Sequence, residues 1–139
     1  MSRTKSSAEE SAALARTIGV GEAKAFETVS DMIAHPDIDA LWICAPNFTR
    51  IEIMEEIVQA IEGGKGDLIG VTCEKPLGRN VKEAKKVLEL TQRVGLLDGY
   101  LENQVFAPSV TRGKEIIWSR GVKATGRPYL ARAAEEHSG

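Results

Sequence analysis

The chain has 139 residues, 42% of them hydrophobic and 27% charged, with a formal net charge of −2. That is enough material for one globular domain, and it excludes the strongly basic surface that a nucleic-acid or anionic-membrane partner calls for. No apolar run approaches the roughly 20 residues of a membrane-spanning helix, MSRTKSSAEE lacks the apolar stretch of a secretory signal, and Cys44 and Cys73 stand apart with no metal-binding or disulfide spacing, so the expected setting is reduced and cytoplasmic, with no metal.

In chain order, residues 7–18 predict a first amphipathic helix. Ser7 and Glu10 stand at capping-box spacing, and Ala8, Ala12 and Ala15 line up with Leu14 and Ile18. Ala23 to Phe26 reads as a short strand, and Asp31 to Ala34 as a helical turn ahead of His35-Pro36. Ile38 to Ala45 is an apolar strand. Thr49 and Glu52 then repeat the capping-box spacing before Ile51, Met54, Ile57, Val58 and Ile61, a helix stopped by Gly63-Gly64. A strand over Leu68 to Cys73 precedes a helix opened by Asn80 and Glu83, carrying Val81, Ala84, Val87, Leu88, Thr91 and Val94, and stopped by Gly95. Leu96 to Leu101 is the next strand. Pro108 to Arg120 is the last helix, with Val110, Gly113 and Ile117 on one face and Gly121 as its stop, and Tyr129 to Ala133 a final strand.

Ile38–Ala45 and Ile69–Cys73 are nearly continuous apolar runs rather than alternations, which predicts strands buried on both faces. Strand and helix in regular succession predict β-α-β units with right-handed crossovers, hence an α/β, doubly wound fold. Ligands of an open parallel sheet bind at the carboxyl ends of its strands. That rule selects Ala45-Pro46-Asn47 and Glu74-Lys75-Pro76. Each places a rigid proline and polar side chains just before a helix N-terminus, whose free N–H groups suit an anionic ligand. Proline and asparagine are equally at home in a plain turn, so Pro46 and Asn47 alone decide nothing. The adjacent acid and base of Glu74-Lys75 are more than a turn needs.

The run Asp39-Ala40-Leu41-Trp42-Ile43-Cys44-Ala45-Pro46-Asn47, a helix, and then Val71-Thr72-Cys73-Glu74-Lys75-Pro76-Leu77 closely resembles the Gfo/Idh/MocA oxidoreductases. The resemblance implies a partial doubly wound, Rossmann-type parallel sheet lacking its first two strands. It also implies hydride transfer between NADP or NAD and a hydroxyl-bearing carbon of a sugar, cyclitol or related small molecule. By the same resemblance Lys75 lies near the nicotinamide and the reacting hydroxyl as acid or base, Glu74 orients its amine, and Pro76 follows a cis peptide bond. Such a lysine has a task, because oxidising an alcohol needs a group to take the O–H proton as hydride leaves carbon. Ala45, Pro46, Asn47 and Thr49, with Glu74 and Lys75, are the expected cofactor contacts. Ser2-Arg3-Thr4 fall in the loop that would meet the adenosine ribose, where an arginine accommodates a 2′-phosphate and points to NADP. A solvated terminus carrying a stray charge explains them equally well.

The chain also departs from that family. No Gly-x-Gly-x-x-Gly follows a strand, and Gly19-Val20-Gly21 follows a helix instead. Arg50 stands where members often carry a histidine, and Val105 stands where an arginine commonly precedes Phe-x-Pro, here Phe106-Ala107-Pro108. Arg132-Ala133-Ala134-Glu135-Glu136-His137 resembles the start of the substrate domain, with His137 either a site residue or a solvated one. The expected plan is a partial NAD(P)-binding domain over residues 1–120 and the start of a truncated substrate domain over 121–139. The chain is read as a piece of a longer enzyme, inactive alone, with an unpaired sheet edge at Ile38–Ala45. Expected partners are a small-molecule substrate and a second copy or a full-length homologue, with neither nucleic acid nor membrane. Two readings from other classes stand beside the enzyme: a non-catalytic interaction module and a nucleotide or sugar sensor. The Glu74-Lys75 pair favours enzyme ancestry, since binding alone does not need both.

Overall fold

Residues 1–130 and residue 132 are described by a computed structural model, in which the chain divides into one unit ending at Leu101 and another starting at Glu102. In the first unit, β1 (Ala40–Ile43), β2 (Gly70–Glu74) and β3 (Leu97–Leu101) form a parallel sheet in chain order. Ala40 aligns with Gly70 and Leu97, and Ile43 with Cys73 and Tyr100. Helices α3 (Arg50–Glu62) and α4 (Val81–Arg93) make the two crossovers. Successive right-handed crossovers in one direction place both helices on the same face of a sheet. Met54, Ile57 and Val58 of α3 and Val87 and Leu90 of α4 accordingly share one core with Leu41, Ile43, Val71 and Cys73 of the strands.

That arrangement corrects the expectation of strands buried on both faces. In β1 burial alternates: Leu41 and Ile43 face the helices, whereas Trp42 is 64% exposed. Ile69 and Leu97 are exposed as well. A continuous apolar run permits burial on two faces but does not supply a second covering layer. Gly70 and Gly99 let the bare side close up: an added Cβ would lie 2.8 Å from the Leu97 carbonyl oxygen and 2.7 Å from Thr72 Cγ2, respectively. β1 pairs with β2 alone among the described residues, so its other edge is open.

The helix starts follow local chemistry, though not always at the predicted residue. α1 (Lys5–Thr17) is capped by Thr4 rather than Ser7; Thr4 Oγ1 accepts from the Ser7 N–H at 3.3 Å. Thr28 caps α2 (Val29–Ile33) in the same way. Asn80 caps α4 as expected, accepting from the Glu83 N–H at 3.0 Å. Glu83 does not complete the box on Asn80; its carboxylate takes the Arg79 side chain and the Arg79 N–H, at 2.9 Å. Those bonds hold the Glu83 carboxyl below the usual carboxylate range. Ala23–Phe26, predicted as a strand, has no ladder partner and runs as irregular chain.

In the second unit Pro108 opens α5 (Pro108–Ile116), its fixed φ suited to a first helical position. A single helix ending at Gly121 is not what forms. A π turn over Ile117–Gly121 leads into α6 (Val122–Thr125), and the chain turns out at Gly126, with φ 88°. Gly121 itself keeps helical angles, so a glycine there is no stop. Tyr129 and Leu130 lie in no strand, and neither does Arg132. Ala131, Ala133 and the rest of the segment to His137 lie outside the described residues. No helix among the described residues is long and apolar enough to cross a membrane.

Ile57 is fully buried while Trp42 faces outward. Ile57→Ala should therefore lower unfolding free energy by roughly 2–5 kcal/mol, and Trp42→Gln should change it by no more than about 0.5 kcal/mol. Urea titrations of the two variants measure both, and a Trp42 cost equal to that of Ile57 would contradict a one-sided core.

Candidate functional site

The parallel register that sets Ile43 beside Cys73 brings the ends of β1 and β2 side by side. Ala45-Pro46-Asn47 leaves the first, and Glu74-Lys75-Pro76 the second. Pro46 is extended, with φ −53° and ψ 144°, and Asn47–Thr49 then form a 3₁₀ turn that enters α3. Thr49 makes no capping bond to that helix, contrary to the capping-box expectation. Its hydroxyl donates instead to the Pro46 carbonyl at 2.8 Å, because the intervening turn places it over that oxygen. The Lys75–Pro76 peptide bond is cis.

One buried side chain ties the two tips together. Arg50, the first residue of α3, is 1% exposed. Its Nη2 donates to the Ala45 carbonyl at 2.7 Å, and its Nη1 to the Pro76 carbonyl at 2.9 Å and to the Glu74 carbonyl. Sequence reasoning saw Arg50 only as a departure from a histidine. The available signal was a long cation immediately before an apolar helical stripe, one turn after a strand tip.

Around this clamp the predicted residues take distinct positions. Lys75 and Pro76 are exposed, and Asn47 and Glu74 are half-buried. Lys75 is thus more open than a desolvated strand-tip lysine. Glu74 does not grip the lysine amine; its Oε2 accepts from the Lys75 backbone N–H at 3.3 Å. Among the described residues, neither the Lys75 ammonium nor the Asn47 carboxamide has an internal hydrogen-bond partner, and both remain available to a ligand. Thr4 is occupied in capping α1. No hydrogen bond or ion pair among the described residues joins Ser2, Arg3 or Thr4 to the strand tips. No cluster of three or more potential metal ligands occurs among the described residues.

A hollow of about 310 Å³ lies on the bare sheet face between Trp42, Gly70 and Leu97. Its lining is mostly apolar, with Thr72 and Asp98 as its polar residues. The polar chemistry sits at the strand tips.

Residues 3–98 match the Gfo/Idh/MocA family, described as an oxidoreductase family with an NAD-binding Rossmann fold. Among curated relatives, 1,5-anhydro-D-fructose reductase of Ensifer adhaerens is 30% identical over 99 residues, covering 71% of this chain and 27% of that protein. Myo-inositol 2-dehydrogenase of Thermotoga maritima is 26% identical over 115 residues, covering 81% and 31%. The crystal structure of an oxidoreductase from Thermotoga maritima superposes with a TM-score of 0.65 at 28% identity, covering 86% of this chain and 33% of that one. The chain thus spans about a third or less of the length of these relatives.

The two cysteines flank the tips in opposite environments. Cys44 is exposed and Cys73 buried. Burial pushes the Cys73 thiol up from its ordinary value, and the nearby Arg50 charge only partly opposes this. Iodoacetamide at neutral pH should label Cys44 at the rate of a free thiol and Cys73 only after urea unfolding. Equal labelling in the native state, read by peptide mass spectrometry, would contradict the packing of Cys73 under α3 and α4.

Proposed function

The chain belongs to the Gfo/Idh/MocA oxidoreductases, and from that membership we propose that it serves an NAD(P)-dependent enzyme moving hydride to or from a hydroxyl-bearing carbon of a sugar or cyclitol. The observation that carries the proposal is the meeting of Ala45-Pro46-Asn47 and Glu74-Lys75-Pro76 at adjacent parallel strand tips, where neither the Lys75 ammonium nor the Asn47 carboxamide has a hydrogen-bond partner among the described residues. Strand tips at the carboxyl edge are where ligands of such sheets bind. The reductase and dehydrogenase names of the two relatives support the substrate class.

In this reading the residues at 45–47 and 49 line the cofactor, and Lys75 stands at its reacting end. The nicotinamide, when bound, takes or gives the hydride. The chain's own part is to move the proton: Lys75 Nζ accepts it from the substrate hydroxyl during oxidation and returns it during reduction. Glu74 fixes the start of the Lys75 peptide through its bond to that N–H. Arg3, ahead of the Thr4 cap, meets the ribose and selects NADP over NAD by gripping a 2′-phosphate. Residues 1–120 form the cofactor-binding part and residues from 121 begin the substrate part. The described residues hold no glycine-rich strand-to-helix turn to cradle a pyrophosphate, so we propose that the chain by itself turns nothing over.

A second reading, pairing with another copy or a full-length homologue, draws on the open edge of β1 and the bare face around Trp42. Co-purification with such a homologue, without turnover, would favour it.

A chimera tests the enzymatic reading, with residues 3–98 replacing the matching segment of the Thermotoga maritima inositol dehydrogenase. Lys75→Met in that chimera should lower kcat by roughly 100- to 10,000-fold, the usual range for a positioned acid–base group. kcat/KM should fall in parallel while cofactor affinity holds. A Lys75→Met variant that keeps its turnover, or loses it only by unfolding, would remove Lys75 from catalysis.

Arg3→Ala in the same chimera should weaken NADP far more than NAD, because only NADP carries the 2′-phosphate. Equal losses in a calorimetric titration would make Arg3 a solvated terminal charge.

A further inference from the structure

Arg50 occupies its position against several local costs. It is a cation at the first residue of a helix, where the helix dipole favours an anion. It is buried to 1% exposure, no carboxylate among the described residues pairs with it, and its Nε has no hydrogen-bond partner. A residue chosen only to stabilise this corner would avoid all three. The compensation is geometric. The acceptors of the guanidinium are backbone oxygens of two different strand tips: Ala45 after β1, and Glu74 and Pro76 after β2. Glu74 and Pro76 are the residues on either side of Lys75.

We propose that Arg50 is the positioning residue of this site: its planar fork pins the peptides on both sides of Lys75 and locks them to the tip that carries Pro46 and Asn47. The inference rests on the reading of Lys75 as the acid–base group. A fork is required because the acceptors lie on two segments and are reached from Nη1 and Nη2 separately. The three N–H donors of a lysine radiate from a single nitrogen, which cannot reach both segments as the two Nη atoms do. With the tips locked, Lys75 Nζ can move only through its own side-chain torsions, and its backbone holds its place relative to Asn47. Arg50 touches no substrate and acts through Lys75.

The test has a structural arm and a catalytic arm. In the 139-residue chain, Arg50→Met and Arg50→Lys are followed by hydrogen exchange and mass spectrometry. Exchange should quicken by at least about tenfold in peptides covering 44–49 and 74–78, since bonds to a charged donor are lost there. Peptides from the middle of α3 and α4 should change far less. Uniform acceleration throughout, or none at the tips, would make Arg50 an ordinary packing residue and overturn the proposal. In the chimeric dehydrogenase, Arg50→Lys should lower kcat while leaving the KM for cofactor nearly unchanged, and added guanidinium should restore part of the turnover of Arg50→Ala. If Lys75→Met abolishes turnover there but Arg50→Lys does not reduce it, the positioning role is wrong and the oxidoreductase reading survives. If Lys75→Met also leaves turnover intact, the underlying reading fails, and the positioning role falls with it.

Discussion

Two parallel strands that end side by side leave their last carbonyls pointing into the space between them, and here a single guanidinium fills that space. Arg50 takes the oxygens of Ala45, Glu74 and Pro76 from the first residue of the crossover helix. The crossover is therefore anchored to the strand it has just left and to the strand it is about to reach. The 3₁₀ turn at Asn47–Thr49, the bond from Thr49 to Pro46 and the exposed Lys75 stand around that anchor. The Nε, with no hydrogen-bond partner among the described residues, records the cost of reaching backbone oxygens from a helix start.

The core is a second consequence of the same connectivity. Both crossovers run in one direction, so α3 and α4 stack on one face, and the apolar residues of β1 divide between a packed set and a bare set. The packed set, Leu41 and Ile43 with Val71 and Cys73, carries the unit. The bare set, Trp42 with Ile69 and Leu97, forms an exposed apolar surface.

Much of this was legible in the residues. The β-α-β order, the parallel class and the two strand-tip tripeptides follow from apolar runs, helix stops and caps such as Asn80. The failures each have a local reason. Ala23–Phe26 has strand-like composition, but a strand exists only where a ladder partner does. Ser7 stands at the right spacing from Glu10, yet Thr4, three residues earlier, reaches the Ser7 N–H first. A run of apolar residues in β1 cannot say whether one layer or two will cover it. Glu74 was expected to orient the Lys75 amine, but Lys75 lies one residue past the end of β2, and the Glu74 carboxylate accepts from its backbone N–H instead. Arg50 was the largest omission. Its role depends on oxygens more than twenty residues away in sequence, and no local pattern encodes that meeting.

The strand order has a meaning for how the chain is made. Neighbouring strands of this sheet are also consecutive in sequence. Parallel pairing nevertheless reaches across a whole crossover helix, from Ala40 to Gly70 and from Gly70 to Leu97, and such non-local pairing is slow to form. On a ribosome, β1 and α3 emerge before β2, the ladder partner of β1 among the described residues; α4 and β3 follow in the same order. The sheet grows from β1 towards β3, and among the described residues each of these two strands keeps one edge without a ladder partner.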